Sequence, residues 1–167
     1  RLGATEVREA VEDATELLVE RETAQAVEKL GAVLRADPTN AYAYHYLGVA
    51  LFELGRLEPA RDAYRAALRL APAYLGARVG LSHALRVLGD RSGAVKEARE
   101  ALKRFPRDGD ALHALGLALA ADGERDEAIE MLERFLEAKP ELEAQLDVRG
   151  MLDMLRQSDE GDPVDFE

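Results

Sequence analysis

Strict repetition at one period is the feature that most constrains this chain. Three kinds of residue recur every 34 positions. They are the prolines Pro38, Pro72, Pro106 and Pro140, the alanines Ala26, Ala60, Ala94 and Ala128, and the glycines Gly55, Gly89 and Gly123. Independent columns that share one period are typical of an array of similar structural repeats, each packed on its neighbours. The sequence therefore predicts a repeat architecture.

The residue types in these columns predict two helices joined by a turn. The second, third and fourth repeats also carry a leucine followed by a small residue: Leu47 and Gly48, Leu81 and Ser82, Leu115 and Gly116. A small side chain on the first helix lets a second helix approach closely. The glycine seven residues later suits the left-handed conformation that ends a helix. The alanine lies early on the second helix, and the proline stops that helix.

A 34-residue repeat with Leu-Gly, a later Ala and a closing Pro resembles the tetratricopeptide repeat family. The resemblance implies an all-α fold, a right-handed α-solenoid of four helix-turn-helix repeats plus a C-terminal capping helix. The repeats are placed at residues 7–40, 41–74, 75–108 and 109–142. The second repeat fits best. The first fits least, because Asp13, Ala14 and Arg21 stand in the Leu, Gly and turn-Gly columns.

Beyond the repeats we expect a capping helix and an acidic tail, with residues 1–157 forming a single domain. The capping helix is predicted over residues 142–157, with an apolar face made of Leu142, Leu146, Met151, Leu152 and Leu155. Residues 158–167 contain five acids and no base, so we expect a flexible tail. An alternative is that the tail docks in a groove, its own or a neighbour's, with Phe166 as the anchor.

Charge and composition exclude several classes of function. The net charge of −11 argues against a nucleic-acid partner, because a phosphate backbone is held by clustered Lys and Arg. Without cysteine there is no disulfide, thiolate metal site or cysteine nucleophile. The sequence has no apolar run long enough to insert in a membrane. We expect a cytoplasmic protein. A periplasmic or membrane-tethered location stays open as an alternative, since the sequence starts at Arg1.

The family resemblance implies a concave groove lined by the first helix of each repeat. The first helix of the second repeat is apolar on almost all sides. Besides the apolar face that packs in the repeat core, it therefore has a second apolar face to bury. The candidate groove residues are Tyr42, His45, Tyr46, Val49, Phe52, Val79, His83, Arg86, His113 and Leu117. The alternative for any one of them is ordinary packing between repeats.

One subfamily of tetratricopeptide repeats clamps the C-terminal carboxylate of heat-shock chaperones with Lys, Arg and Asn on the first helices. The matching positions here carry other residue types: Val11, Thr15, His45, Val49, Val79 and His83. The resemblance therefore does not extend to that clamp. An amphipathic helix or an extended apolar peptide is the expected occupant.

Metal binding and catalysis have little support in the sequence. His45 and His113 lie two repeats apart, about 8–10 Å per helix layer, so they cannot share one ion. No phosphate-binding glycine loop and no nucleophile-elbow motif is present. A cluster of Glu and Asp in residues 124–137 is typical of a solvated helix face. We expect a protein that is not an enzyme and that uses no metal and no cofactor.

The basic residues of the middle repeats form a possible second surface. Residues 41–108 carry 12 Lys and Arg against 7 Asp and Glu, and the last third of the chain is strongly acidic. Spacings of three and four predict stripes on the outer face, made of Arg61, Arg65, Arg69, Lys96, Arg99 and Lys103. These stripes would dock an acidic partner or serve solubility alone.

The expected function is a protein–protein interaction scaffold or adaptor that holds a peptide or helix of a partner in its groove. Two alternatives are a client-specific chaperone of the bacterial secretion type and a self-assembling structural protein. In a self-assembling protein, the basic middle of one copy would contact the acidic end of another copy to form a homo-oligomer. A regulatory domain of a larger enzyme is a further alternative. The Ala- and Arg-rich composition favours a GC-rich bacterial genome.

Overall fold

The computed structural model describes residues 2–166. Within that range all regular secondary structure is helical, and there is no strand. The described residues form nine helices. They are α1 (Ala4–Val19), α2 (Thr23–Ala36), α3 (Ala41–Glu53), α4 (Leu57–Leu70), α5 (Leu75–Val87), α6 (Arg91–Arg104), α7 (Gly109–Ala121), α8 (Arg125–Glu137) and α9 (Leu142–Gln157). This confirms the predicted all-α helical repeat fold.

The helices follow one another in pairs with short connections, as the repeat columns predict. Residues 20–22, 54–56, 88–90 and 122–124 join the two helices of each pair. The first pair begins at Ala4, three residues before the predicted start of the first repeat. The chain divides into two compact units, unit 1 (Arg1–Ala84) and unit 2 (Leu85–Glu167). Unit 1 packs α1 on α2, α2 on α3 and α3 on α4, whereas unit 2 packs α6 on α7, α7 on α8 and α8 on α9.

The glycine column ends the first helix of each pair. Gly55, Gly89 and Gly123 have φ angles of 75°, 90° and 81°. At the first of these turns the Gly55 amide donates to the carbonyl of Phe52 and the Arg56 amide to that of Leu51, which satisfies two carbonyls at the end of α3. The first repeat has no glycine there, and Arg21 takes the same left-handed conformation at φ 62°.

The alanine column lies in the core. Ala26, Ala60, Ala94 and Ala128 are all fully buried. Each stands in the first turns of the second helix of its pair, where only a small side chain lets a neighbouring helix come close. The column therefore has the packing role that its residue type predicts.

The small residue of the first helix receives a large side chain from the second helix. A Cβ built on Gly48 would lie 2.6 Å from Cε1 of Tyr64, and one on Gly116 would lie 2.6 Å from Cδ2 of Leu132. In unit 1 the Tyr64 ring also abuts Gly80 of α5. The glycines thus create the space that the Tyr64 and Leu132 side chains fill.

The buried face of α9 differs from the predicted one. Val148, Leu152 and Leu155 are buried in unit 2, whereas Leu142 is 69 % exposed and Leu146 is exposed as well. The buried residues follow the i, i+4, i+7 spacing of one helix face, and at 100° per residue Leu142 and Leu146 fall on another. Of the five residues predicted for the apolar face, the structure buries two fully, Leu152 and Leu155.

None of the helices in residues 2–166 combines the length and the apolar composition that crossing a bilayer requires.

Candidate functional site

A cleft of about 650 Å³ opens in unit 1 between α1 and α3. The first turns of α1, the connection from α2 to α3 and the first turns of α3 line it. Two predicted groove residues, Tyr42 and Tyr46, contribute their rings, and Val7 and Val11 contribute aliphatic side chains. Arg8 stands among the lining residues as well. The volume falls within the 300–1,000 Å³ range of small-ligand pockets.

Tyr42 is the most exposed aromatic residue of the predicted groove. Its side chain is 65 % exposed, and its ring meets that of Tyr74 edge to face, with centroids 5.4 Å apart. This arrangement holds the ring in place while leaving one face open. Tyrosine fixed in this way provides contact area at a small cost in conformational entropy, which suits it to binding.

His45 packs inside an aromatic cluster of unit 1. Its ring centroid lies 4.8 Å from those of Tyr46 and Tyr74, and 6.1 Å from that of Tyr64. Tyr74 Oη and His45 Nδ1 are hydrogen-bonded at 3.0 Å. Burial lowers the pKa of His45 to about 4, so the imidazole is neutral at pH 7 and Nδ1 can accept from the hydroxyl. The half-buried His45 thus takes part in the packing of α3, and its role in ligand binding stays a prediction.

The other predicted groove residues of unit 1 are half-buried. This set is made of Val49, Phe52, Val79 and His83. A half-buried apolar side chain on a first helix can take part in packing and still present an edge to a ligand. Their role in binding stays a prediction.

Unit 2 contains the remaining predicted groove residues, and there most of the first helix, α7, is buried. Leu117 of α7 is only 4 % exposed. The His113 ring lies 5.4 Å from that of Phe135, and burial lowers the pKa of His113. Arg86 Nη1 donates to the carbonyl oxygen of Phe166 at 2.7 Å. These side chains therefore contact other parts of the chain.

Residues 158–166, hereafter the acidic segment, contact the C-terminal end of α7 and the arginines Arg86, Arg91 and Arg125. Its position differs from the free tail expected from composition, and corresponds to the docked alternative with Phe166 as anchor. Phe166 is 8 % exposed. The Gly161 amide donates to the Gly123 carbonyl at 2.9 Å, and the Val164 amide donates to the Ala120 carbonyl at 2.8 Å.

A comparison with family models agrees with this architecture. The model described as "Tetratricopeptide repeat" matches residues 11–74 and 79–143. The chain belongs to the tetratricopeptide repeat family. No curated protein sequence is similar enough to count as a relative.

Solved structures of tetratricopeptide proteins share the fold. A crystal structure of MamA is 26 % identical, with a TM-score of 0.72, and the match covers 80 % of this chain and 78 % of MamA. TTC0263, a thermophilic protein of Thermus thermophilus, is 24 % identical, with a TM-score of 0.75 and coverage of 89 % and 80 %. YrrB, described as having an unusual peptide-binding site, is 21 % identical, with a TM-score of 0.68 and coverage of 91 % and 79 %.

The predicted basic stripes of this tetratricopeptide chain differ between the two units. In unit 1, Arg65 and Arg69 are exposed on α4, and Arg61 is half-buried and paired with the adjacent Asp62. In unit 2, Lys96 and Lys103 are exposed on α6. Arg99 makes a two-pronged pair with Glu127 of α8, with Nη2 and Oε2 2.7 Å apart. That pair lowers the pKa of Glu127 and raises that of Arg99, so this arginine already has an acidic partner.

Sequence reasoning did not anticipate two sets of contacts. Arg8 and Val7 of the cleft lie on the weakest repeat, where the family columns give no guidance. Arg91 and Arg125, which contact the acidic segment, stand at the same repeat position 34 residues apart, but that position is not among the columns that define the family. A signal was present in the alternation of apolar and acidic residues at Val164, Asp165 and Phe166, which is typical of an extended segment with one face against protein.

Proposed function

We propose that this tetratricopeptide chain is a non-catalytic scaffold that binds a peptide or helix of a partner protein through the cleft of unit 1. The observation that carries the proposal is the exposed Tyr42 ring, held beside Tyr74 at the mouth of a cleft of about 650 Å³. Tyrosine is enriched among the residues that dominate binding energy at protein interfaces.

The cleft lining combines apolar side chains with charged ones, since Glu12 and Asp37 lie there as well as Arg8, and it supports a ligand segment with apolar anchors and polar contacts. Val7, Val11 and the two tyrosines provide apolar area, and Arg8 provides a guanidinium that can pair with a carboxylate. The positions where a chaperone-tail clamp would need Lys, Arg or Asn hold Val11 and Thr15 in α1. A binding mode like that of the Spaghetti repeat, whose structure contains an HSP90 peptide, is therefore not proposed for this chain.

An affinity pulldown from the source organism tests the proposal. The wild type is compared with a Tyr42→Ala, Arg8→Glu double variant and with a control variant, Val19→Ala. Val19 is exposed, lies at the far end of α1 and does not line the cleft. Since Tyr42 and Arg8 are exposed, we expect the double variant to fold as the wild type does.

A partner that wild type and Val19→Ala recover, and that the double variant loses, would support the cleft as the binding surface. Circular dichroism and thermal unfolding of all three proteins verify that a loss is not due to misfolding. Equal recovery by all three would overturn the assignment of the cleft. The exposed basic stripes of α4 and α6 would then become the surfaces to examine.

A further inference from the structure

The first helices of the second and fourth repeats, α3 and α7, occupy equivalent positions in the repeat but differ in burial. Val49 of α3 and Leu117 of α7 occupy the same repeat position, 68 residues apart. Val49 is half-buried, whereas Leu117 is 4 % exposed. In α7 every residue from Ala114 to Ala121 is buried. The acidic segment contacts the C-terminal end of this buried helix.

The acidic segment joins α7 through backbone hydrogen bonds at the end of the helix. Helix ends leave carbonyl groups without an intrahelical partner. The carbonyls of Ala120 and Gly123 accept from the amides of Val164 and Gly161. The two backbones are so close that a Cβ on Gly123 would lie 2.5 Å from the Gly161 carbonyl oxygen. Backbone pairing of this kind accepts many sequences, so specificity must come from side chains.

Three arginines contact the segment from one end to the other. Arg125 Nη1 donates to the Ser158 carbonyl at 2.6 Å, and its Nε lies 3.5 Å from a carboxylate oxygen of Glu160. Arg91 Nη2 lies 3.6 Å from a carboxylate oxygen of Asp165. Arg86 donates to the Phe166 carbonyl, as described above. Arg125 and Arg91 thus match the two acids that flank the middle of the segment.

The apolar side chains of the segment alternate with its acids. Val164 is half-buried and Phe166 is buried, while Asp165 between them is exposed beside Arg91. In an extended chain, successive side chains point to opposite sides, so Val164 and Phe166 share the side that faces unit 2. The segment therefore has the form of a bound peptide ligand: an extended backbone, an aromatic anchor and flanking carboxylates.

We infer that the surface around the C-terminal end of α7, with Arg86, Arg91 and Arg125, is a second peptide-binding surface, and that the acidic segment occupies it as an intramolecular competitor. The surface fits an extended acidic peptide with apolar side chains two residues apart, the second of them aromatic. A protein partner that presents this chemistry binds by displacing the segment. This inference rests on the proposed function as a peptide-binding scaffold, and it assigns the chemistry of one class of ligand.

The test uses a fluorescently labelled peptide with the sequence of residues 158–167 and three forms of the chain. These are the full chain, the chain ending at Gln157, and the full chain with Val164→Ala and Phe166→Ala. Fluorescence anisotropy measures the affinity of the peptide for each. When the resident segment occupies most molecules, the apparent affinity falls by the fraction that is free. We expect the truncated chain to bind at least about ten times more tightly than the full chain.

The double substitution keeps the experiment decisive if the truncated chain does not fold. It leaves the whole backbone in place and removes only the two apolar side chains. We expect it to bind the labelled peptide at least about ten times more tightly than the wild type. A labelled peptide with Phe166→Ala should bind the truncated chain at least about tenfold more weakly than the native peptide.

A matched pair of glycine variants separates contact with the segment from strain in the turn. Gly123→Ala and Gly89→Ala introduce the same left-handed conformational penalty, but only the first puts a methyl group where the Gly161 carbonyl lies. In the chain ending at Gln157 we expect Gly123→Ala to weaken binding of the labelled peptide, because the peptide brings the same carbonyl to this place, and Gly89→Ala to leave the affinity unchanged.

Two results would overturn the inference. One is a folded truncated chain that does not bind the peptide. The other is equal affinity for the full chain and for the double variant, which would make the segment a fixed part of the fold. Neither result touches the cleft of unit 1, whose test uses Tyr42 and Arg8. A failure here is therefore distinct from a failure of the proposed function.

Discussion

At the residue scale, one ring explains why two helices of unit 1 carry glycine. Tyr64 of α4 is 4 % exposed, and it fills the space left by Gly48 of α3 and Gly80 of α5. A ring enclosed on both sides cannot move away from a new methyl group without disturbing its other neighbours. Burial also raises the pKa of Tyr64 above its usual value, so the phenol stays protonated within the packing.

Gly48→Ala should therefore destabilise the protein by about 1–3 kcal/mol, because the added Cβ would lie 2.6 Å from the Tyr64 ring. Gly150→Ala is the matched control. It is also a helical glycine, but no atom lies within 4 Å of the place its new methyl group would take, so helix propensity should stabilise this variant by about 0.5–1 kcal/mol. Urea unfolding at constant m-value measures both. Similar effects in the two variants would contradict the Tyr64 contact.

Arg21 offers a second single-residue prediction. It stands in the glycine column and has a φ angle of 62°, a conformation that costs a non-glycine residue about 1–2 kcal/mol. Arg21→Gly should therefore stabilise the protein by about 0.5–1 kcal/mol, after the larger entropy of glycine in the unfolded chain is offset. Gly55→Ala at the equivalent turn should have the opposite sign. Chemical denaturation of both variants measures the two effects. A destabilised Arg21→Gly variant would contradict the conformational cost attributed to Arg21.

His45 predicts how stability depends on pH. Its pKa is about 4 in the folded protein, against 6.5 for the unperturbed side chain that represents the unfolded chain. Between these values the unfolded chain binds a proton that the folded protein does not, so stability rises with pH across this window. The contribution of His45 is complete above about pH 6.5 and is lost as the pH falls towards 4.

The comparison of wild type with His45→Gln isolates this effect from that of the many carboxylates. Between pH 7 and pH 5 the wild type should lose about 1–2 kcal/mol more stability than the variant, because glutamine accepts no proton. His113 has its pKa lowered as well and titrates in both proteins, so it cancels in the comparison. Equal losses in the two proteins would show that His45 is not the group responsible.

At the element scale, the alanine column sets how closely the helices of each repeat pack. Ala60 and Ala94 are fully buried on α4 and α6. Ala60→Leu or Ala94→Leu should overpack these positions and destabilise the protein by about 1–3 kcal/mol. Ala24→Leu is the control, because Ala24 is exposed on α2. Thermal unfolding measures the loss of stability of each variant. A loss for Ala24→Leu as large as for the other two variants would contradict the packing role of the alanine column.

The elements also show where sequence reasoning works and where it fails. Columns with a local physical cause, such as the turn glycines and the closing prolines, predict the paired helices and the turns between them. The buried face of α9 was predicted only in part, because Leu142 and Val148 are both apolar and only tertiary packing chooses between them. The docking of Phe166 depends on Arg86 and on α7, far away in sequence, so composition favoured a free tail while the alternation of Val164 and Phe166 favoured docking.

At the scale of the whole molecule, each unit has one candidate binding surface, which is open in unit 1 and occupied in unit 2. Unit 1 has an open cleft beside Tyr42, and in unit 2 the acidic segment occupies the surface around the C-terminal end of α7. The three arginines that contact the segment belong to unit 2, whereas the exposed tyrosine belongs to unit 1. We therefore expect different ligands at the two surfaces, one with apolar anchors at the first and an acidic one at the second.

The same difference predicts different salt dependence. Charge pairs at exposed sites are screened as ionic strength rises. Raising NaCl from about 0.05 M to about 0.5 M should weaken the binding of the segment peptide to the truncated chain several-fold, because Arg91 and Arg125 pair with its acids. Partner binding at the cleft of unit 1, where apolar side chains supply the anchors and Arg8 lies beside Glu12 and Asp37, should change less. Anisotropy titrations at the two salt concentrations measure this, and a salt-independent segment peptide would contradict the role of the arginines.

The most direct test of the central claim is site-specific photo-crosslinking in the source organism. A photoreactive phenylalanine analogue is placed at position 42 in the cleft, or at position 19 or 69 on exposed surfaces outside it. The account predicts that a protein partner is captured from position 42 and not from positions 19 and 69. Capture from position 19 or 69 with none from position 42 would contradict it and place partner binding outside the cleft.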